Sequence, residues 1–165
     1  MENPIFAIPA LVLLVLFLLL HLQGKKKYAS FIQAMDKDEY GLREIMTVGF
    51  VLMEKSKYTY AGKLDRKLRT QLRELYDPDY IEFYLRVQWA AAVTYACLAL
   101  FLGFLFFGAR NGDFTLLALF LVASPVLAYG SLSSLDKKIE KRHHQVSMDL
   151  PDFTNELVIL SGAGL

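Results

Sequence analysis

The sequence is poor in cysteine, with a single residue of this type, Cys97. One thiol excludes an intramolecular disulfide and any metal site made of thiolates alone. Cys97 lies inside a long apolar run, where a free cysteine usually acts as a small apolar side chain. The net charge of +1, from 18 basic and 17 acidic residues, indicates no charged partner. The positions of these charges along the chain are more informative than their sum.

The motifs of the common catalytic classes are also missing. The chain has no H-E-x-x-H, G-x-S-x-G or C-x-x-C pattern. Gly62-Lys63-Leu64 lacks both the upstream glycine and the hydroxyl residue of a phosphate-binding loop. Any nucleotide hydrolysis therefore belongs to another protein, and we expect neither enzymatic activity nor a cofactor.

Few side chains are placed to bind a metal or to transfer protons. His143 and His144 are neighbours, so on a helix they point about 100° apart and cannot readily share one ion. They are more simply part of a solvated basic face. Asp149 and Asp152 could form an acid–base pair, but at a helix start they more simply cap the helix and oppose its dipole. We predict no metal ligands and no catalytic residues.

Long runs without charge account for much of the sequence. Residues 89–107 and 114–129 contain no charged side chain and span about 28 and 24 Å as helices. Residues 108–113 between them hold Arg110, Asp113 and an Asn-Gly turn dipeptide. A third run, residues 5–20 with Leu22, is interrupted only by Pro9 and reaches about 27 Å. These runs predict a helical hairpin in a membrane, preceded by an anchor helix.

The amino-terminal run, residues 5–20 with Leu22, has a rival interpretation as a cleaved signal peptide. A signal peptide has positive charge before its apolar core and small residues after it, whereas here Glu2 precedes the core and Gly24 with three lysines follows. We therefore expect a retained anchor with its amino terminus outside.

The mean hydropathy of +0.32 and the 55% hydrophobic content combine very apolar blocks with one strongly charged block. This division predicts an all-α, polytopic membrane protein with three transmembrane helices and cytoplasmic amphipathic helices. The predicted segments are an anchor at 1–22, a cytoplasmic helical block at 23–79, a long helix and a second helix forming the hairpin at 80–130, and the start of a cytoplasmic helical domain at 131–165.

Lysine and arginine are distributed unevenly about the predicted spans. Thirteen lie in residues 23–87 and four follow Tyr129, so 17 of the 18 share one side and only Arg110 lies on the other. Cytoplasmic segments carry the excess of these residues. The pattern predicts that residues 23–87 and 131–165 are cytoplasmic.

Two amphipathic helices are predicted in the charged block, separated by a loop at residues 56–62. Their apolar stripes recur at steps of three and four residues and consist of Leu42, Ile45, Met46, Gly49, Phe50 and Met53, and of Leu64, Leu68, Leu72 and Leu75. They need a surface to pack on, which is either a small bundle that they form with each other and with a further or partner cytoplasmic domain, or the inner membrane surface.

The second amphipathic helix carries a basic face made of Lys63, Arg66, Lys67, Arg69 and Arg73. Three uses are open for this face: solvation, anionic lipid headgroups, or an acidic patch on a cytoplasmic partner. Interleaved acids such as Asp65 and Glu74 argue against nucleic acid.

A helix start is predicted at Asp77-Pro78-Asp79, with Asp77 as the cap. From there residues 80–107 form one rod of about 42 Å, with Tyr84 and Trp89 in an interfacial aromatic belt. On this rod, Ala92, Ala96, Ala99 and Gly103 are spaced by four, three and four residues. Such small residues let another membrane helix approach closely, in this chain or in a partner, although alanine is also simply common in membrane helices.

Two prolines follow in the second half of the hairpin and beyond it. Pro125 predicts a kink in the third span. Pro151 predicts the first turn of a new helix, with Phe153, Leu157 and Leu160 on one face and an end at Gly162.

The segment from residue 136 to residue 165 resembles the opening of the type II secretion F domain, as found in tight-adherence (Flp) pilus assembly proteins. The residues that carry the resemblance are a basic helix, then Asp149-Leu150-Pro151-Asp152-Phe153, Leu157 and Ala163-Gly164-Leu165. It implies a bacterial inner-membrane platform protein that oligomerises and works beside a hexameric secretion ATPase, a second platform protein and pilin subunits. It also implies that this chain is an amino-terminal portion.

Two other classes remain open. A membrane-anchored sensor or regulator would recruit a cytoplasmic partner without a motor. A small transporter or channel component is the other, although no ionisable residue lies inside either hairpin run.

Overall fold

The structure is a computed structural model that describes residues 8–35, 40, 42–110 and 112–162. Helices, turns and loops make up this part of the chain, which contains no strand, so the predicted all-α class is confirmed. The helices are α1 (Ile8–Lys27), α2 (Ala29–Ala34), α3 (Thr47–Lys55), α4 (Lys63–Leu75), a 3-10 turn (Pro78–Tyr80), α5 (Ile81–Ala109) and α6 (Phe114–Gly162).

Three helical segments are long and apolar enough to cross a membrane: Ile8–Lys27, Pro78–Ala109 and Phe114–Met148. The hydrocarbon core of a bilayer is about 30 Å thick, which the 20 residues of α1 just match and which α5 and α6 exceed. The prediction of three spans is confirmed, and the fold is that of a membrane protein.

Helix α5 is the central element. In its most apolar stretch 39% of the residues are buried, against 11% in α1 and 11% in α6, so α1 and α6 leave most of their surface for lipid. The predicted rod of residues 80–107 is observed at Ile81–Ala109, and it begins directly after the 3-10 turn. Asp77 occupies the predicted N-cap position and Pro78 the first turn, but the side chain of Asp77 makes no capping hydrogen bond.

A tight turn joins α5 to α6. Gly112 has a φ of 91°, a conformation that side chains with a Cβ rarely adopt, and its N–H donates to the carbonyl of Phe107 at 2.9 Å. Asp113 then accepts a hydrogen bond from the backbone N–H of Thr115 at 2.9 Å, which satisfies one of the free donors at the start of α6.

Helix α6 is one continuous helix of 49 residues, which corrects the prediction of a separate helix starting at Pro151. The helix also passes Pro125 without a break. A lone proline removes one helical hydrogen bond, and residues 131–161 contain no glycine that would end the helix. Gly162 is the last described residue of α6, so the predicted helix end there remains a prediction.

Helix α3 is held between α1 and α5 and runs parallel to α1. Thr47 contacts His21 and Gly24 of α1, while Glu54 reaches Lys27 at the end of α1. Lys27 lies six residues, or about 9 Å of helix, after His21. The start of α3 therefore lies about 9 Å closer to the middle of the membrane than Lys27 does. The predicted stripe is only partly helical, because residues 42–46 form turns before α3 begins.

Helix α4 follows the loop predicted at residues 56–62 and is amphipathic. Its Leu68 and Leu72 are buried against α5 and α6, in a cluster that includes Leu85, Leu132 and Leu135. The packing surface of α4 is formed by the hairpin helices α5 and α6, and neither the predicted bundle with the first amphipathic helix nor a location flat on the membrane describes it.

Candidate functional site

Four residues of the predicted basic face are exposed on α4: Lys63, Arg66, Lys67 and Arg73. The fifth, Arg69, has a different environment. Its Nε lies 2.6 Å and its Nη2 3.2 Å from the two carboxylate oxygens of Glu82 on α5, and Nη1 donates to the backbone carbonyl of Tyr60 at 2.9 Å. The hydrogen bond to Glu82 raises the pKa of Arg69. Arg69 therefore fastens α4 to α5, and the face available to a partner consists of the other four cations.

On the opposite face of α4, the carboxylate of Asp65 is completely buried. It accepts hydrogen bonds from the hydroxyl of Tyr58 at 2.9 Å, from the N–H of Gly62 at 2.7 Å and from Nε1 of Trp89 at 2.7 Å. Three donors compensate for the loss of water around the charge. Burial and the bond to Asp65 raise the pKa of Tyr58. Asp65 thus joins the loop, α4 and α5 at one point.

Sequence reasoning missed this role of Asp65, which it placed only among the acids interleaved with the basic face. The available signal was its position, since an acidic residue three positions after Gly62 can close a capping box with the backbone N–H of that glycine. No local signal indicated Trp89, which sequence reasoning placed in the aromatic belt and which uses its indole N–H to bind Asp65.

The far end of α4 is held by α6. Nη1 of Arg142 donates to the carbonyls of Glu74 and Leu75 at 2.7 and 2.8 Å, so it satisfies carbonyls that the end of a helix leaves free. Gln71 also hydrogen-bonds Asp136 of α6. His143, expected on a solvated face, is exposed and lies 3.4 Å from the carboxylate of Glu74. The first turns of α6 beyond the hairpin are therefore fixed on α4.

The predicted small-residue face lies against α6. Ala92 and Ala99 are buried, the carbonyl of Ala96 accepts a hydrogen bond from the hydroxyl of Ser124 at 3.1 Å, and a Cβ added to Gly103 would lie 2.6 Å from the Cβ of Phe120. Of the two docking partners that the spacing allowed, the structure places the one from the same chain on this face.

Two further close approaches were not predicted. A Cβ added to Gly49 of α3 would overlap the carbonyl oxygen of Ala90 and lie 2.6 Å from the hydroxyl of Thr94. A Cβ on Gly24 of α1 would lie 2.8 Å from the Cβ of Thr47. No other small residue lies four positions away from either glycine, so the sequence lacks the repeated small residues that indicate a packing face.

In the described part of the chain, no three His, Cys, Asp or Glu side chains come together in a way that would hold a metal ion. Asp149 and Asp152 lie inside the continuous helix α6, so the helix start that they were predicted to cap is wrong. The side chains of Leu157 and Leu160 lie outside the described part of the structure, as do residues 163–165, so the apolar face predicted there remains a prediction.

The chain was compared with protein-family models, with curated proteins and with solved structures, and none of the three comparisons found a match.

Proposed function

We propose that this protein is a non-catalytic platform of the bacterial inner membrane, in a machine like those that assemble tight-adherence pili or drive type II-like secretion. In this role it oligomerises and couples a cytoplasmic hexameric ATPase to pilin assembly, together with a second platform protein. The observation that carries the proposal is the continuity of α6, which leads from the hairpin in the membrane far into the aqueous side.

The length of α6 supports a coupling role. Its 49 residues extend about 74 Å, of which the uncharged run of residues 114–129 accounts for about 24 Å. About 50 Å of helix remains beyond that run. Because α4 holds this extension through Arg142 and Gln71, a force on it reaches α5 without passing through a flexible linker.

The end of the extension offers a surface for a partner. Val146, Met148 and Phe153 are 52%, 61% and 62% exposed, well past the residues that contact α4. Val146 and Phe153 are seven residues apart and share one face of the helix, which is where we place the partner. The four exposed cations of α4 lie on the same aqueous side and supply charge for an acidic partner.

The proposal is tested by reversing charge on the exposed face while leaving Arg69 intact. We expect R66E/R73E to reduce the amount of secretion ATPase that co-purifies from detergent-solubilised membranes by about tenfold, because like charges then face the acidic partner. The matched control is K26E/K55E, which makes the same change in charge at exposed positions of α1 and α3.

Size-exclusion chromatography in detergent verifies that both variants keep the wild-type elution volume. Capture of the ATPase at the wild-type level by R66E/R73E would remove this face from the proposal. Equal losses in both variants would show that total charge, and not the face of α4, determines the capture.

A further inference from the structure

A cavity of about 390 Å³ opens beside the end of α1. Its wall is built by α1, α2, α3, the loop after α3, and α5, so residues far apart in sequence meet there. Its volume falls within the range of small-ligand sites. None of the interactions described above uses its open space.

The cavity lies at the membrane boundary. Lys27, the last residue of the α1 span, lines it from one side. Arg86 of α5 lines it from another side and directly precedes the uncharged stretch of α5 that contains residues 89–107. The apolar segments of two antiparallel spans thus end at the same level, which is where phospholipid headgroups lie.

The cavity wall is positively charged. Three cations line it, Lys27, Lys57 and Arg86, with one carboxylate, Glu54. That carboxylate is occupied, because Lys27 and the hydroxyl of Tyr28 both donate to it, and these bonds lower the pKa of Glu54. Among the described residues, Lys57 and Arg86 form no ion pair. The two cations are therefore available to an anion, although the charge of Arg86 also acts on Glu82 from beyond ion-pair distance.

The loop after α3 is shaped around this space. Lys57 and Tyr60 both have left-handed backbone conformations, with φ of 51° and 52°, which are uncommon outside glycine. Such conformations concentrate at ligand sites, where the backbone is held against its preference. Here they bring an ammonium group and a phenol to the same cavity.

The remaining wall is aromatic and apolar. Phe31, Phe50 and Met53 line it, and the ring of Phe50 stacks on that of Tyr28 with centroids 5.1 Å apart. A ligand with an anionic end and an apolar body suits this combination of cations and rings.

We propose that this cavity binds the headgroup phosphate of an anionic phospholipid from the leaflet at the carboxyl-terminal end of α1, with Arg86 and Lys57 as the phosphate ligands. The guanidinium can form paired hydrogen bonds with a phosphate, and the ammonium adds a point charge. The apolar wall receives the glycerol region. The site depends on the membrane location alone and is independent of the platform role.

The test uses the purified full chain in bilayer nanodiscs and the fluorescence of Trp89, the single tryptophan. Its ring centroid is 5.2 Å from that of Tyr58, which lines the cavity. Quenching by brominated phosphatidylglycerol, relative to brominated phosphatidylcholine, gives a lipid preference. We expect the wild type to prefer the anionic lipid and K57Q/R86Q to lose about fivefold in preference for each cation removed.

K26Q/K55Q is the matched control, since it removes two exposed cations near the same boundary but outside the cavity, and its preference should stay at the wild-type value. R86K, which keeps the charge, should keep most of the preference, and this separates a binding defect from misfolding. Unchanged preference in K57Q/R86Q, or an equal loss in K26Q/K55Q, would overturn the proposal. Inorganic phosphate added at millimolar concentration should leave the preference unchanged; displacement of the lipid by phosphate would assign the cavity to a soluble anion.

Discussion

At the scale of single residues, Asp65 shows how one buried charge organises a junction. Two of its three donors, a tyrosine hydroxyl and a backbone amide, belong to the loop at residues 56–62, and the third is a tryptophan on α5. A buried carboxylate without such donors would be strongly unfavourable, whereas a fully bonded one fixes the geometry of its neighbours. Asp65 acts together with the buried leucines of α4 in orienting this helix on α5.

We expect Asp65→Asn to destabilise the protein by about 3 kcal/mol. The substitution puts an amide N–H where an oxygen now accepts, so at least one of the three donors loses its partner. The measurement is thermal unfolding in detergent, followed by circular dichroism. Asp79→Asn, at an exposed position, is the control and should change stability by less than about 0.5 kcal/mol. Equal melting temperatures for the two variants would contradict the role given to Asp65.

The residues of the basic face show what sequence can indicate at this scale. Helical periodicity placed Lys63, Arg66, Lys67 and Arg73 on an outer face of α4, since periodicity is a local property. The pairing of Arg69 with Glu82 depends on how α4 lies on α5, and no spacing within α4 contains that information. The cavity beside the end of α1 could not be predicted for the same reason, because the cations that line it come from three separate segments.

At the scale of elements, α3 is the helix whose place depends most on glycine. Gly49 lets the backbone of α3 approach that of α5 at Ala90, and Gly24 leaves room on α1 for the side chain of Thr47. Without side chains at these points, three helices come closer than ordinary side chains allow. The buried Phe50 and Val51 follow from this approach.

Gly49→Ala and Gly130→Ala make the same chemical change with opposite expected results. At Gly49 the added methyl group meets the backbone of α5, which cannot move aside, and we expect a loss of at least about 2 kcal/mol. At Gly130 no atom lies within 4 Å of the new Cβ, so the higher helix propensity of alanine should stabilise α6 by up to about 1 kcal/mol. Melting temperatures in detergent compare the two, and a similar shift in both would refute the close approach.

Sequence predicts the elements of this fold well where the signal lies within the element. The apolar runs gave the three spans, and the polar loop at residues 56–62 separated α3 from α4. The continuity of α6 was missed because Pro151 was given its usual place in the first turn of a helix. The position of α3 was missed because it depends on glycines that contact partners far along the chain.

At the scale of the whole molecule, the spans and the charges predict which side of the membrane each segment occupies. Arg110 lies in the short turn between α5 and α6, while the basic face of α4 lies at the other end of the bundle. Proteins with this distribution of lysine and arginine keep the charged end in the cytoplasm.

Labelling of single cysteines tests that orientation. In a Cys97→Ala background, we expect R110C to react with a membrane-impermeant maleimide on intact cells. K63C, which lies on the exposed face of α4, should react only after the membrane is permeabilised. The reverse pattern would place the basic face outside the cell and would end the proposal of a cytoplasmic motor as its partner.

The close contact between Gly49 and Ala90 also bears on how the protein is made. Forty-one residues separate the two positions, and synthesis at about 5–20 residues per second delivers the second several seconds after the first. During that interval α3 has α1 beside it but lacks the surface of α5 on which Phe50 packs. The nascent chain therefore passes through a stage in which α3 can pack on α1 but not yet on α5, and translation speed across this interval sets how long that stage lasts.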